Sequence, residues 1–294
     1  IGLEIEALMR DHEKTLANIA QYEDILENRA SMAKVIIREL QSWKKEYGRP
    51  RKTAIENLQE AVVVEKKIEE TDVVFLMDRF GYAKTIDVAA YERNKEAADS
   101  ENRYVMTVKN TDKICIFTNR GQMHLLKVLD LPFGKFRDKG TPIDNLSNYN
   151  SSEENFVYIT NLGAIREERL IFGTKNAMLK VVSGAEFDVA KRTTAATKLS
   201  EEDELLFVQR FAGDESLIMQ SEKDFFLRID ASSIPEKKKG AVGVRGMKLS
   251  AGDVLTNIYL LSAGENVEVE VRGKTYDLNR LHVGNRDTKG TKKA

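Results

Sequence analysis

Lys113–Leu146, KICIFTNRGQMHLLKVLDLPFGKFRDKGTPIDNL, decides how the rest of the chain is read. Ile114–Phe117 is a short apolar run of β-forming residues, Thr118-Asn119-Arg120-Gly121 is a turn, and Gln122–Val128 is a second run. Gly121 can take a positive φ without a Cβ clash, which a tight hairpin turn requires. A loop then passes Pro132 and the cations Lys135, Arg137 and Lys139 to Gly140, and closes on Ile143 and Leu146. The stretch predicts a hairpin, a basic loop and a further strand.

Looser copies flank it. Hairpins are expected at Val73–Leu76 with Lys84–Ile86, Leu170–Phe172 with Met178–Val182, Leu217–Met219 with Phe225–Ile229, and Val267–Val271 with Tyr276–Leu278. The tail Lys139–Ile143 is echoed at Thr194–Leu199, Gly243–Leu249 and Thr288–Thr291. An acidic turn and one more strand follow: Glu153-Glu154 before Phe156–Ile159, Glu201–Glu204 before Leu205–Val208, and Asp253 before Val254-Leu255. About four strands per unit of about 45–50 residues is the arithmetic of a propeller-like disc. The expected fold is mainly β, a propeller-like disc of about five four-stranded blades over 71–294.

The first 48 residues read differently. Leu3, Leu16, Ile19, Tyr22 and Ile25-Leu26 recur at helical spacing among charges. Asn28–Ser31 is the expected break, with Ser31 capping a second helix that buries Val35, Ile36, Leu40 and Trp43. Gly48 and Pro50 end it. This predicts a helical coiled-coil arm over 1–48 and a charged linker over 49–70, with Val62–Val64 as a stray strand or packed segment. The chain starts mid-helix without an initiator Met, so the reading is a piece of a longer chain whose missing N-terminal part supplies the partner helix.

Composition narrows the function classes. Of 294 residues, 41% are apolar and 32% charged, enough for globular cores beside a heavily charged surface. The net charge of −1 gives no prior for nucleic acid, so such a claim rests on charge placement. The single cysteine, Cys115, rules out an internal disulfide framework, suits a reducing compartment and is expected as a buried thiol. No apolar run reaches the roughly 18 residues of a membrane span. His12, His124 and His282 stand apart, without the company a metal site needs. Gly240–Gly246 lacks the Gly-Lys-Ser/Thr ending of a phosphate loop.

The helical arm ending in Lys44-Lys45-Glu46-Tyr47-Gly48, then Arg51-Lys52-Thr53, then repeats of the type FTNRGQMHLLKV…KGTPIDNL and GVRGMKLSAGD, resembles the A subunit of bacterial type IIA DNA topoisomerases, gyrase and topoisomerase IV. The resemblance covers nearly the whole chain and is most specific in the second and fourth repeats. It implies the end of the coiled-coil arm joined to a C-terminal β-pinwheel whose rim binds and bends DNA. The family's DNA-cleaving tyrosine lies upstream of this region. Tyr104, which follows Arg103 in a short β-run, is expected in the core or on the sheet surface, and this region is non-catalytic in itself. Gyrases of this family typically carry a basic glycine-rich box late in the first blade, tied to chiral wrapping of DNA. The corresponding stretch here, Arg93–Ser100, has no glycine and is acidic where the arginines would stand, and Lys237–Gly243 is basic and Gly-rich but lies in the wrong blade. The departure favours a topoisomerase IV-like subunit that relaxes and decatenates. The alternatives are a gyrase domain that wraps DNA, and a protein-interaction propeller that binds no DNA.

The resemblance gives the cations a role. Lys84, Lys127, Lys180 and Arg228 recur on second hairpin strands and are expected as a ring facing duplex DNA. Arg120, Lys135, Arg137, Lys139, Lys191, Arg192, Lys237, Lys238, Lys239, Arg245 and Lys248 are expected to extend it on turns and loops, with Arg286, Lys289, Lys292 and Lys293 at the end of the chain. Contacts would be to phosphates, with little base preference. The implied partners are double-stranded DNA, a second copy of the same polypeptide held through the missing part in a homodimer, and the ATPase (B-type) topoisomerase subunit. No cofactor is expected in this region, since ATP and Mg would bind elsewhere in the holoenzyme. A cytoplasmic, nucleoid-associated location without a membrane partner completes the expectation.

Overall fold

A computed structural model describes residues 2–53 and 68–293, so Val62–Val64 and most of the expected linker lie outside the described residues. The chain forms two compact units, one helical and N-terminal, the other β-rich.

The helical unit holds α1 (Gly2–Glu27) and α2 (Arg29–Tyr47). The break falls where expected, but the cap is Asn28, not Ser31. Asn28 is extended and its side-chain oxygen accepts from Ala30 N at 3.0 Å, which satisfies one of the free N–H groups at the helix start. Gly48 N–H donates to Lys44 O and closes α2. Ile36, Leu40 and Trp43 are exposed rather than buried, as are Leu8, Leu16, Ile19 and Leu26. An apolar stripe is buried only where another surface meets it, and among the described residues none covers this one.

The β-unit starts with β1 (Asp72–Asp78) and β2 (Tyr82–Asp87), followed by α3 (Val88–Arg93), α4 (Lys95–Glu101) and β3 (Asn102–Lys109). A second hairpin, β4 (Lys113–Thr118) and β5 (Gln122–Lys127), leads to β6 (Phe133–Gly134), β7 (Thr141–Pro142), α5 (Ile143–Leu146) and β8 (Phe156–Asn161). After α6 (Leu162–Ile165), a third hairpin of β9 (Arg169–Thr174) and β10 (Met178–Ser183) leads to β11 (Thr193–Ala195) and β12 (Leu205–Phe211). The fourth, β13 (Ser216–Ser221) and β14 (Phe225–Asp230), leads to β15 (Val244–Arg245) and β16 (Leu255–Leu261). The fifth, β17 (Glu268–Val271) and β18 (Lys274–Asp277), leads to β19 (Val283–Gly284) and β20 (Thr291–Lys292). The first four turns place one residue at positive φ in the same position: Gly81, Gly121, Ala177 and Asp224.

Each of the first four hairpins is the centre of a sheet. Its first strand pairs with the long strand that follows: β3 on β1, β8 on β4, β12 on β9, β16 on β13. Its second strand pairs with short strands that arrive only after the next hairpin: β6 and β7 on β2, β11 on β5, β15 on β10, β19 and β20 on β14. The tail Lys139–Ile143 therefore belongs to the blade before its own hairpin, which corrects the reading of one repeat as one blade. The strand expected at Ile143–Leu146 is the helical turn α5. The strand is β7 just before it, and Ile143 N–H donates to Gly81 O at 2.9 Å. Among the described residues the fifth hairpin carries no further strands, so the five units are four full sheets and a bare hairpin.

Alternation along the first strands packs these sheets into a series. Phe75 and Met77 share a cluster with Ile114 and Ile116 of the next hairpin, while Cys115 and Phe117 face Leu170 and Phe172 of the third. Ile171 shares a cluster with Leu217 and Met219 of the fourth, and Ile218 packs with Val271 and Leu278 around the fifth. Strands buried on both faces read as unbroken apolar runs, which is why the hairpins stand out in the sequence. At the first blade the far face, Val74, Leu76 and Ile86, is covered by Ala98 of α4 and by Val88, Ala90 and Tyr91. At the other end the β17–β18 hairpin exposes Glu268, Glu270, Lys274 and Thr275.

Candidate nucleic-acid interface

The inner and outer edges of the blades follow from contacts. Strands β3, β8, β12 and β16 touch their neighbours from blade to blade, so they line the inside of the arc. The short strands β7, β11, β15 and β20 lie at the opposite, outer edge of their sheets. The segments leading into them carry most of the expected cations.

Register aligns these segments. Thr141 pairs with Ala83, Thr194 with Met123, Val244 with Leu179 and Thr291 with Phe226. Two residues before these positions stand Lys139, Arg192, Val242 and Lys289. Lys139 lies over the Tyr82 ring, 4.7 Å from its centroid, and Lys289 over the equivalent Phe225 ring at 4.8 Å. The intervening position is glycine in three blades, because the edge strand sits directly on the hairpin backbone. A Cβ on Gly140, Gly243 or Gly290 would come within 2.7 Å, 2.5 Å or 2.5 Å of a backbone oxygen of Ala83, Leu179 or Phe226.

Most expected cations are exposed along this edge or beside it. Lys135, Arg137, Lys139, Lys191, Arg192, Lys238, Arg245, Lys248, Lys289 and Lys292 are exposed. Some are partly committed: Lys238 Nζ is 3.3 Å from Glu186 Oε1, and Arg245 Nη1 is 3.4 Å from Asp287 Oδ1. Lys239 is half-buried and donates to Glu186 O at 2.8 Å, while Lys237 beside it is half-buried as well. Arg120, at the second hairpin tip, is exposed and donates from Nε to Glu153 O at 3.1 Å.

The expected ring of Lys84, Lys127, Lys180 and Arg228 does not form. Lys84 and Lys180 share one register position, Arg228 is one residue further along, and Lys127 is at the exposed end of its strand. Lys180 is only 1% exposed, and its Nζ donates to Lys239 O at 2.6 Å and Ala241 O at 2.9 Å, with Ala196 O at 3.3 Å and Lys238 O at 3.4 Å. Lys84 donates to Phe136 O, and to Asp138 O at 2.7 Å. Arg228 donates from Nη1 to Asn279 O and Leu281 O, and its Nε is buried without a partner among the described residues. Burial lowers the pKa of Lys84, and takes that of Lys180 down to about 8 against the pull of Glu186, with Lys237 adding to the fall. Strand pleat turns these side chains under the loops rather than outward. A lone Lys inside the apolar runs Ala83–Ile86 and Leu179–Val182 is the sequence signal that went unread.

The second blade differs at this position. There His124 replaces the lysine, with Nε2 2.8 Å from Glu154 Oε1 and Nδ1 3.0 Å from Thr193 Oγ1. Sequence reading also missed two hairpin-tip cations: exposed Arg79 beside Phe80, and Lys223, whose Nζ donates to Ala251 O at 2.7 Å. Tyr104 is a partly buried residue of β3 packed against the core of the first two blades. Arg93–Ser100, where the basic box would stand, falls in α3 and α4 with Asn94 between them.

Comparison with known proteins agrees with this architecture. Residues 168–212 and 215–262, the third and fourth hairpins each with the long strand that follows, match the family described as DNA gyrase C-terminal domain, beta-propeller. The DNA gyrase A polypeptide of Lawsonia intracellularis is 28% identical across 98% of this chain and 37% of its own length. That of Clostridium acetobutylicum is 28% identical across 83% of this chain and 31% of its own length. The chain thus spans about a third of these relatives. Among solved structures, the C-terminal domain of DNA topoisomerase IV superposes with a TM-score of 0.68 at 20% identity, over 76% of this chain and 73% of that one. The E. coli ParC C-terminal domain gives 0.61 at 15% identity, over 76% and 94%. These likenesses show the shared pinwheel fold. The repeats, the blade topology and these relatives agree, and the chain is similar in sequence to the C-terminal third of bacterial DNA gyrase A subunits.

Proposed function

We propose that the β-unit binds duplex DNA along its outer edge and bends it, presenting the duplex to an ATP-dependent strand-passage enzyme. The observation that carries this is the row of exposed cations on successive edge segments: Lys135, Arg137 and Lys139, then Lys191 and Arg192, then Lys238 and Arg245, then Lys289 and Lys292. Acids and bases are nearly balanced over the whole chain, so binding comes from their separation in space. Such an edge meets phosphates and carries little base preference. Bending 20–30 bp costs on the order of 1–6 kcal/mol, which several phosphate contacts can offset. The coiled-coil arm, the ATPase partner, pairing with a second copy of the same polypeptide and the cytoplasmic setting belong to the same reading. So does the absence of catalysis by this region alone.

The test is fluorescence anisotropy with a labelled 40-mer duplex across a salt series. Binding is expected to fall with a log–log slope of about −0.9 per phosphate contact. Changing Lys139, Arg192 and Lys289 together to Glu should weaken binding and flatten the slope. Absence of salt-sensitive binding at low salt leaves the protein-interaction propeller as the reading.

Within the family, relaxation and decatenation of the topoisomerase IV type is favoured. The box position is helical and carries Glu96 and Asp99. A gyrase-like wrapping role is the second reading, favoured by the gyrase names of the curated relatives. The full-length polypeptide with its ATPase partner, relaxed plasmid and ATP separates the two. Negative supercoils in the product would overturn the topoisomerase IV preference.

A further inference from the structure

Lys84 and Lys180 hold two loops of the same design. Each sits three residues after the positive-φ residue of its hairpin, Gly81 or Ala177. Each faces a loop that starts at a proline, Pro132 or Pro235, and each donates to the fourth and sixth residues after it: Phe136 and Asp138, or Lys239 and Ala241. These loops carry Lys135, Arg137 and Lys139 in one blade, and Lys237, Lys238, Lys239 and Arg245 in the other. The carbonyls turn in toward the lysine ammonium, while the Lys135, Arg137 and Lys238 side chains on the same segments reach solvent. The second blade has a shorter connection into its edge strand, and there the lysine is replaced by His124 bonded to Thr193 and Glu154.

We propose that Lys84 and Lys180 are positioning residues: a half-buried and a buried cation that fix, through backbone carbonyls, the two loops whose exposed cations meet DNA. The inference rests on the DNA-binding reading for its consequence, but its structural part stands alone. A buried ammonium needs oxygen partners, and at Lys180 four carbonyls of two segments supply them. A loop held this way presents its cations without first being ordered, which lowers the entropy lost on binding. The two lysines act on affinity without touching DNA.

The experiment compares Lys84→Met, Lys84→Arg and Lys180→Met with the wild-type chain. Hydrogen exchange is read over residues 133–142 and 234–245, and duplex affinity over the same salt series. Circular dichroism and thermal melting check the fold. Each Met variant is expected to speed exchange about tenfold or more in its own loop and not in the other. Affinity is expected to weaken about three- to tenfold. Lys84→Arg, which keeps charge and donors, is expected to restore both. If Lys180→Met does not fold, the half-exposed Lys84 pair decides the matter. Wild-type exchange and affinity in the Met variants overturn the proposal, as does equal loosening of both loops by one variant. A wild-type chain that fails to bind duplex at low salt overturns the DNA reading, and loop exchange then still decides whether the lysines hold their loops.

Discussion

Gly140 lies so close to Ala83 that a Cβ on the glycine would stand 2.7 Å from the Ala83 carbonyl oxygen. This contact seats the edge strand of the first blade on a hairpin that precedes it by a whole repeat. Gly243 does the same on Leu179, at 2.5 Å. Gly140→Ala and Gly243→Ala are each expected to destabilise the β-unit by roughly 1–3 kcal/mol, since the backbone beneath cannot give way. Gly240→Ala, with nothing within 4 Å of its Cβ, is the control and should stay within about 0.5 kcal/mol. Urea unfolding of the three variants checks this.

Cys115 is wholly buried between the second and third blades, and burial pushes its thiol far above the ordinary range. The thiolate is the reactive form. Folded protein is expected to leave an aromatic disulfide reagent unreacted over the time in which unfolded protein gives one equivalent. Rapid native reaction would place the residue at the surface.

Ala98 is the buried residue of α4 on the Val74, Leu76 and Ile86 face. Ala98→Asp puts an unpaired carboxylate there and is expected to cost roughly 2–5 kcal/mol. It should also raise binding of a hydrophobic dye, because that face loses its cover. Glu96→Ala, on the exposed side of α4, should leave both near wild type.

Lys180 sets a pH dependence. Its folded pKa of about 8 lies below the ordinary 10.5, so between these values the unfolded chain binds more protons than the folded one. Stability from this group therefore rises with pH across that window, at no more than about 1.4 kcal/mol per pH unit. The wild-type minus Lys180→Met difference in unfolding free energy is expected to grow in favour of wild type from pH 8 to pH 10. A flat or falling difference would contradict the burial of the charge.

Much of the fold is legible in one dimension because its signals are local. The turn chemistry at Gly81 and Gly121, and apolar runs such as Val73–Met77 and Ile114–Phe117, mark the hairpins, since those strands are covered on both faces. The exposed loop cations Lys135, Arg137 and Lys139 are also visible as a basic cluster. The partner of each edge strand is not. Thr141–Pro142 and Val244–Arg245 are two residues long, too short for any pattern, and the loop path and the close fit at glycine choose their hairpins.

The sequence by itself thus determined a propeller-like run of β-hairpin repeats with basic connections, because turn residues and burial on both faces leave a mark at each position. Only the tertiary structure decided which blade a tail joins, which stretch at the box position turns helical, and which cations face solvent. Lys127 and Lys180 look alike in sequence, yet one ends a strand in water and the other sits beneath a loop among four carbonyls. The difference is three residues of register, and register is fixed by the hairpin turn and by the strands that pack on either side.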